Sequence, residues 1–246
     1  MDDREKHNPA TEGILSRREV FSLLGGAAGT GVFCFFLQAS AALTSCVGKP
    51  EQTEGPYFLD GMLNRSDVRS DPSDGTISDG IPLSLIFRVS SIGARGCLPL
   101  AGAIVDLWHC DARGYYSGVQ DRSFNTTGKK FLRGNQVTDR AGMAKFSTIY
   151  PGWYPGRTVH IHFKIRTDPS SKAGYEFTSQ LYFDDSLTDH VYTLPPYSSR
   201  GRRMMRNEED FVFRRGGKQL MLVLDKDGQG YTSTFDIGLQ LQGGSP

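Results

Sequence analysis

Two histidines of this 246-residue chain stand two positions apart in Tyr154-Pro155-Gly156-Arg157-Thr158-Val159-His160-Ile161-His162. Val159, Ile161 and Phe163 alternate with them, so an extended backbone sends both imidazoles off one face of one strand. That is half of a metal site. Tyr154 offers an oxygen donor just upstream, and Trp108-His109-Cys110-Asp111-Ala112-Arg113-Gly114-Tyr115-Tyr116 brings two more phenols to the end of another strand pattern. Two phenolates and two imidazoles select ferric iron. A phenol, whose ordinary pKa is about 10, must lose its proton on metallation, and a trivalent ion is the best agent for that. Zinc is more typically held by His, Cys or carboxylate, and Fe(II) oxygenases use two His and one carboxylate.

Taken singly, each residue has a plainer reading. A buried Tyr is usually a core aromatic with a hydrogen-bonded hydroxyl. His160 and His162 could be hydrogen-bonded strand residues, and Arg157 a surface ion-pair partner. Trp108 and Trp153 read as packing residues. His109, one step from Trp108 and on the opposite face, reads as structural, and His7 and His190 carry no role. Tyr115 should point away from Tyr116 if that segment is extended.

The elements that must position these groups are short β segments. Ile81 to Val89, Ala103 to Trp108, Thr158 to Arg166, Ser179 to Phe183, Leu220 to Leu224 and Tyr231 to Ile237 read as strands. Gln136 to Phe146 reads as strand, tight turn, strand, with Gly142 at the turn. Asp225 to Gly230 reads as a hairpin-like turn rather than a calcium loop, since it lacks that loop's length and terminal Glu. Asp185 to Tyr192 could hold one short helix, and Asn64 to Gly80 is a loop. Regularly spaced strands with few helical periods predict an all-β fold, a β-sandwich of mostly antiparallel strands whose long loops form the metal site.

A formal net charge of +1 argues against a nucleic-acid footprint. Arg200, Arg202, Arg203 and Arg206 form one basic run, read as a solvated loop with an anionic ligand as the alternative. At the N-terminus, Arg17-Arg18 precedes a weakly hydrophobic run from Leu23 to Leu43 that is rich in Gly and Ala. Residues 1–45 therefore resemble a twin-arginine export signal, and 46–246 the mature domain. An uncleaved anchor is the alternative. Leu43-Thr44-Ser45-Cys46 loosely resembles a lipoprotein box, which would make Cys46 a lipid anchor. Otherwise Cys46, Cys97 and Cys110 reach an oxidising compartment as an odd set. A Cys46–Cys97 bridge is one pairing, and spacing does not choose it. Cys34 lies in the leader.

The order Trp108…Tyr116, Pro151-Gly152-Trp153-Tyr154, Arg157, His160-Ile161-His162, Gln180-Leu181-Tyr182-Phe183 resembles the intradiol ring-cleavage dioxygenases, the catechol and protocatechuate 3,4-dioxygenase group. Glu51 to Phe58 is similar to that family's N-terminal segment over the site. Leu132-Arg133-Gly134 and Trp108 to Asp111 resemble its exported, single-domain branch. The resemblance implies Fe(III) held by Tyr116, Tyr154, His160 and His162, with no organic cofactor. It implies that Tyr154 leaves the metal when substrate binds and serves as a base, that Arg157 stabilises negative charge on the substrate, and that Gln180 lies just outside the metal ligands. Catechol-type rings would be opened between their hydroxyls by O2 to cis,cis-muconate-type products. Partners are then the small catechol and O2, with membrane contact only through the signal or a lipid anchor, in a periplasmic or extracellular setting. Two other readings remain: a non-catalytic β-sandwich binding module of transthyretin-like or carbohydrate-binding type, and a zinc hydrolase, which would need a third His or a carboxylate.

Overall fold

In Pro82–Gly93 (β1) the side chains alternate, so Leu83, Leu85, Phe87 and Val89 are buried on one face while Ser84 stays exposed. A computed structural model describes residues 46–93, 96–168 and 174–241. Residues 1–45, which the sequence reads as an export signal, lie outside them. β1 is followed by Gly96–Pro99 (β2), Ile104–Trp108 (β3), Arg133–Val137 (β4), Met143–Ile149 (β5), His160–Arg166 (β6), Glu176–Tyr182 (β7), Asp225–Asp227 (β8) and Gly230–Leu239 (β9). They form two sheets. One has the order β2-β1-β9-β8, with β5 also paired to β1; the other has the order β4-β3-β6-β7. All pairings are antiparallel except β1 with β9, which is parallel. The fold is the expected all-β sandwich.

The core lies between the sheets. Phe87 of β1 meets Phe163 of β6 with ring centroids 5.2 Å apart, and Phe163 meets Phe235 of β9 at 5.6 Å. Ile161, Phe163 and Ile165 are the inward residues of β6 and are fully buried. The strand's other face carries His160, His162, Lys164 and Arg166, which are buried too. Their cover is the segment from Pro50 to Met62. Gln52 N donates to Thr178 O at 2.9 Å, Lys164 Nζ lies 2.5 Å from Glu54 Oε2, and Arg166 pairs with both Asp106 and Asp60. Glu54 is therefore a tie for this cover.

The strand, turn and strand read over Gln136 to Phe146 form, and two other expectations are corrected. Gln136 to Phe146 does turn at Gly142, whose φ is +73°, but β4 and β5 belong to different sheets. The turn is an inter-sheet corner because each strand finds its hydrogen-bond partner elsewhere, β4 on β3 and β5 on β1. Leu220 to Leu224 is not a strand. A 3-10 turn, Gly217–Leu220, runs into it, and only Met221 bridges to Tyr182. Strand pairing resumes at β8, inside the segment read as a turn, so the hairpin bend shrinks to Gly228 and Gln229. The helix forms at Asp185–Val191 (α1), where the Asp184 carboxylate accepts from Ser186 N and Leu187 N.

His109 is structural, as expected, and ties the sheets together. Its Nδ1 lies 2.8 Å from Cys110 O and so carries the proton, which leaves Nε2 to accept from Thr148 Oγ1 of β5 at 2.6 Å. Burial holds its pKa down at about 4 against 6.5 for an ordinary His. The folded state thus favours the neutral ring, and this contribution is complete above pH 6.5 and is lost as pH falls toward 4, by about 3 kcal/mol. Urea unfolding of wild type and His109→Gln across pH 4 to 7 should show a shallower pH slope in the variant. Equal slopes would remove His109 from the acid sensitivity.

Candidate metal centre

β6 sits between β3 and β7, and the register places Trp108 opposite His162, His162 opposite Gln180, and His160 opposite Tyr182. These side chains form one patch on the outward face. Trp108 stacks on His162 with centroids 5.0 Å apart and planes 5° apart. His160 Nδ1 lies 2.7 Å from Thr158 O and must donate to it. Its Nε2 is then an unprotonated lone pair in the neutral ring. Around that lone pair lie His162 Nε2 at 3.0 Å, Tyr154 Oη at 3.1 Å and Arg157 Nη1 at 3.4 Å. Burial is the main cause that holds both histidine pKa values well below the usual range, so both imidazoles stay neutral. His162 Nδ1 is buried without a hydrogen-bond partner.

The two tyrosine loops meet backbone to backbone. A side chain at Gly152 would put its Cβ 2.5 Å from the carbonyl oxygens of Asp111 and Ala112, and one at Gly114 would sit 2.2 Å from Trp153 O. Glycine alone permits this approach. It brings Tyr116 to Tyr154 with centroids 5.7 Å apart and to His162 at 6.2 Å. Tyr116 is buried, and its Oη has no hydrogen-bond partner of ordinary geometry. Burial drives its pKa well above that of a free phenol, and the neighbouring Tyr154 adds to this. Tyr154 is likewise pushed up by burial, with Arg157 opposing. Tyr115 does turn away, onto Phe124 at 4.8 Å.

Arg157 is aimed by its partners. Asp210 Oδ2 accepts from its Nε at 2.9 Å, and Gln180 Oε1 accepts from its Nη2 at 2.6 Å. Gln180 is fixed in turn by its Nε2 donating to Thr53 O and by Tyr182 Oη donating to its Oε1. Asp210 also accepts from the backbone N–H groups of Thr158, Val212 and Phe213. The sequence reading missed Asp210. It lies 53 residues from Arg157, in a segment with no motif of its own. Tyr57 was missed as well: it stacks on Tyr116 at 4.6 Å and donates its phenol proton to Asp121. Its place in the Glu51–Phe58 segment was a signal that the residue matters.

The basic run is also corrected in part. Arg203 is tied to Asp185 and Asp189, and Arg206 to Asp189, so these two are held by α1 rather than free in a loop.

The donor set fits ferric iron. Two neutral imidazoles, a half-buried phenol and a buried phenol without a partner converge where no carboxylate enters. Among the described residues no group of three or more His, Cys, Asp and Glu side chains is placed to hold an ion, so any ion here depends on the phenols. The donor that a zinc hydrolase would need is not supplied by the residues around His160 and His162.

The profile of the family described as Dioxygenase matches residues 53–193. The chain is 32% identical over 150 residues to chlorocatechol 1,2-dioxygenase of Pseudomonas putida, which covers 53% of this chain and 52% of that protein. It is 29% identical over 148 residues to the protocatechuate 3,4-dioxygenase beta chain of Burkholderia cepacia, covering 55% and 62%. It therefore spans about half the length of the first of these enzymes. Among solved structures, the intradiol ring-cleavage dioxygenase from Tetranychus urticae superposes with a TM-score of 0.69 at 30% identity, over 81% of this chain and 98% of that one. The matched residues include the tyrosine loops, Arg157, the paired histidines and Gln180, and the chain belongs to the intradiol ring-cleavage dioxygenase family.

Proposed function

We propose that this chain is a non-haem Fe(III) dioxygenase that opens catechol-type rings between their two hydroxyls, using both atoms of O2, to give cis,cis-muconate-type products. The observation that carries this reading is the unprotonated His160 Nε2 facing His162, Tyr154 and the cation of Arg157, with the unpartnered Tyr116 phenol alongside. Tyr116, Tyr154, His160 and His162 would hold the iron. When bound, the ion supplies the positive charge that ionises the phenols and activates a bound catechol toward O2.

The rest falls to the chain's own residues. Burial keeps both phenols protonated at neutral pH, so they become anionic donors only when a multivalent cation takes the place of their protons. Tyr154 is half-buried and borders a cavity. Its phenolate Oη can therefore accept a proton from an entering catechol hydroxyl. Arg157 holds a fixed positive charge beside Tyr154 and His160, where a substrate oxygen gains negative charge. Asp210 and Gln180 fix its orientation, so little reorganisation is needed. The cover from Pro50 to Met62, with Tyr57 stacked on Tyr116, keeps water from the buried phenol.

We also propose export before function, with residues 1–45 as the signal and 46–246 as the catalytic domain. The Cys46–Cys97 disulfide supports an oxidising compartment. It also competes with a lipid anchor, because a lipoprotein thioether would use the same Cys46 sulfur.

The iron-loaded protein should consume O2 and catechol one for one and place two labelled oxygens in a muconate. Cleavage beside the hydroxyls, or a protein that stays colourless after ferric loading, would overturn the reading. Tyr116→Phe should shift or abolish the tyrosinate-to-iron charge-transfer colour, and an unchanged visible spectrum would remove Tyr116 from the ligand set. Arg157→Ala should lower kcat by about 100- to 1000-fold with iron content retained. Asp210→Asn should lower it by about tenfold, and the double variant should be no slower than Arg157→Ala alone, because both act through one guanidinium. Additive losses would separate Asp210 from Arg157.

A further inference from the structure

A cavity of about 270 Å³ opens beside the Tyr154 phenol, walled by Tyr57, Tyr115 and Phe124, with Asp121 and Arg200 also lining it. An apolar cavity of about 150 Å³ is enough for benzene, so this one has room for a ring and a substituent. Aromatic walls suit the ring, and the two charged residues decide the substituent.

Arg200 differs from Arg203 and Arg206 of its run and from nearby Arg113. Arg203 and Arg206 are held by carboxylates of α1, and Arg113 pairs with Asp111. Arg200 has no carboxylate partner among the described residues. It is anchored instead by stacking, with its guanidinium carbon 5.0 Å from the Trp153 ring and 5.5 Å from the Tyr115 ring, and by Nε donating to Trp153 O at 3.3 Å. Stacked rings fix the plane of a guanidinium without using its terminal N–H donors. Those donors are the ones that grip a carboxylate in a paired geometry. Asp121 is occupied differently. It accepts from Tyr57 Oη at 2.7 Å, and this bond is the main cause that holds it below the usual carboxylate range, so it remains an anion. An anionic substituent is therefore repelled from the Asp121 side and drawn to the Arg200 side.

We propose that Arg200 is a specificity-determining residue, and that the cavity takes a catechol whose ring carries a carboxylate arm. The inference rests on the ring-cleavage reading for its substrate ring and on Arg200 alone for the arm. Because Arg200 contacts Trp153, the neighbour of Tyr154, an arm held there also sets which way the ring enters.

The test compares 3-(3,4-dihydroxyphenyl)propanoate with its methyl ester, in iron-loaded wild type, Arg200→Gln and Arg200→Lys. Wild type should favour the acid in kcat/KM. Arg200→Gln should reduce the acid-to-ester ratio by about ten- to a hundredfold, the range for losing a charged hydrogen-bond partner. Arg200→Lys should keep part of the ratio, because the charge stays while the fork is lost. A wild type without preference, or a ratio unmoved in Arg200→Gln, overturns the proposal. A second arm needs no turnover: calorimetric binding of 3-(4-hydroxyphenyl)propanoate, which has a single ring hydroxyl, against its methyl ester. Should neither catechol be cleaved, the ring-cleavage reading fails, and this arm still decides the anion subsite. Acid-selective binding that disappears in Arg200→Gln supports it; equal binding of acid and ester overturns it.

Discussion

A slip of one residue in the pairing of β6 would turn His160 and His162 into the core and send Ile161 and Phe163 outward. Everything at the metal centre depends on that register. It is held from both sides, by β3 and by β7, and from below by Phe163 packed between Phe87 and Phe235. The same pairing lines up Trp108, His162 and Gln180 in one row. The ring that stacks on one histidine and the amide that steers Arg157 thus come from the same constraint. A sheet with two buried faces is unusual for an antiparallel arrangement, which commonly leaves one face to water. Here the second face is closed by the Pro50–Met62 cover, and the ion pairs of Lys164 and Arg166 fasten that cover to the strand.

The electrostatics of the face follow from burial. The histidines are desolvated and lie near Arg157, so both are neutral. The phenols are desolvated and stay protonated. Arg157, the cation beside His160 and Tyr154, is balanced by Asp210, whose side chain is itself almost fully buried. With its histidines neutral and its phenols protonated, the donor set offers no anionic ligand to a trivalent ion until the phenols release their protons. A divalent ion would gain less from the same exchange. This is the physical sense in which two tyrosines beside two histidines favour ferric iron over zinc.

Much of this was legible in the sequence, for identifiable reasons. The alternation Val159-His160-Ile161-His162-Phe163 reports the strand and the common face of the imidazoles at once. The family resemblance then joined pieces that local pattern could not. What escaped was long-range. That the two tyrosine loops meet backbone to backbone at Gly114 and Gly152 shows only in the fold. Asp210 reaches Arg157 only after the chain has passed through β6, β7, α1 and two 3-10 turns, and no period links the two. The strand, turn and strand around Gly142 were legible, but the inter-sheet corner was not, because a tight turn encodes its bend and not the partner of each flanking strand. Leu220 to Leu224 has strand-like composition, yet it is held by a single bridge at Met221, so propensity lost to tertiary context.

The two phenols differ in a way that assigns them different parts. Tyr116 is buried behind the stacked ring of Tyr57, on a loop pinned by the Gly152 approach. Tyr154 is half-buried, borders the cavity and lies next to the charge of Arg157. Of the four donors, Tyr154 is the one that lines that cavity. If one tyrosinate must give up its place to a catechol oxygen, burial selects Tyr154, and Arg157 is then positioned to hold the anion that replaces it. The asymmetry comes from packing and from the Arg157 charge beside Tyr154, since the two side chains are chemically identical.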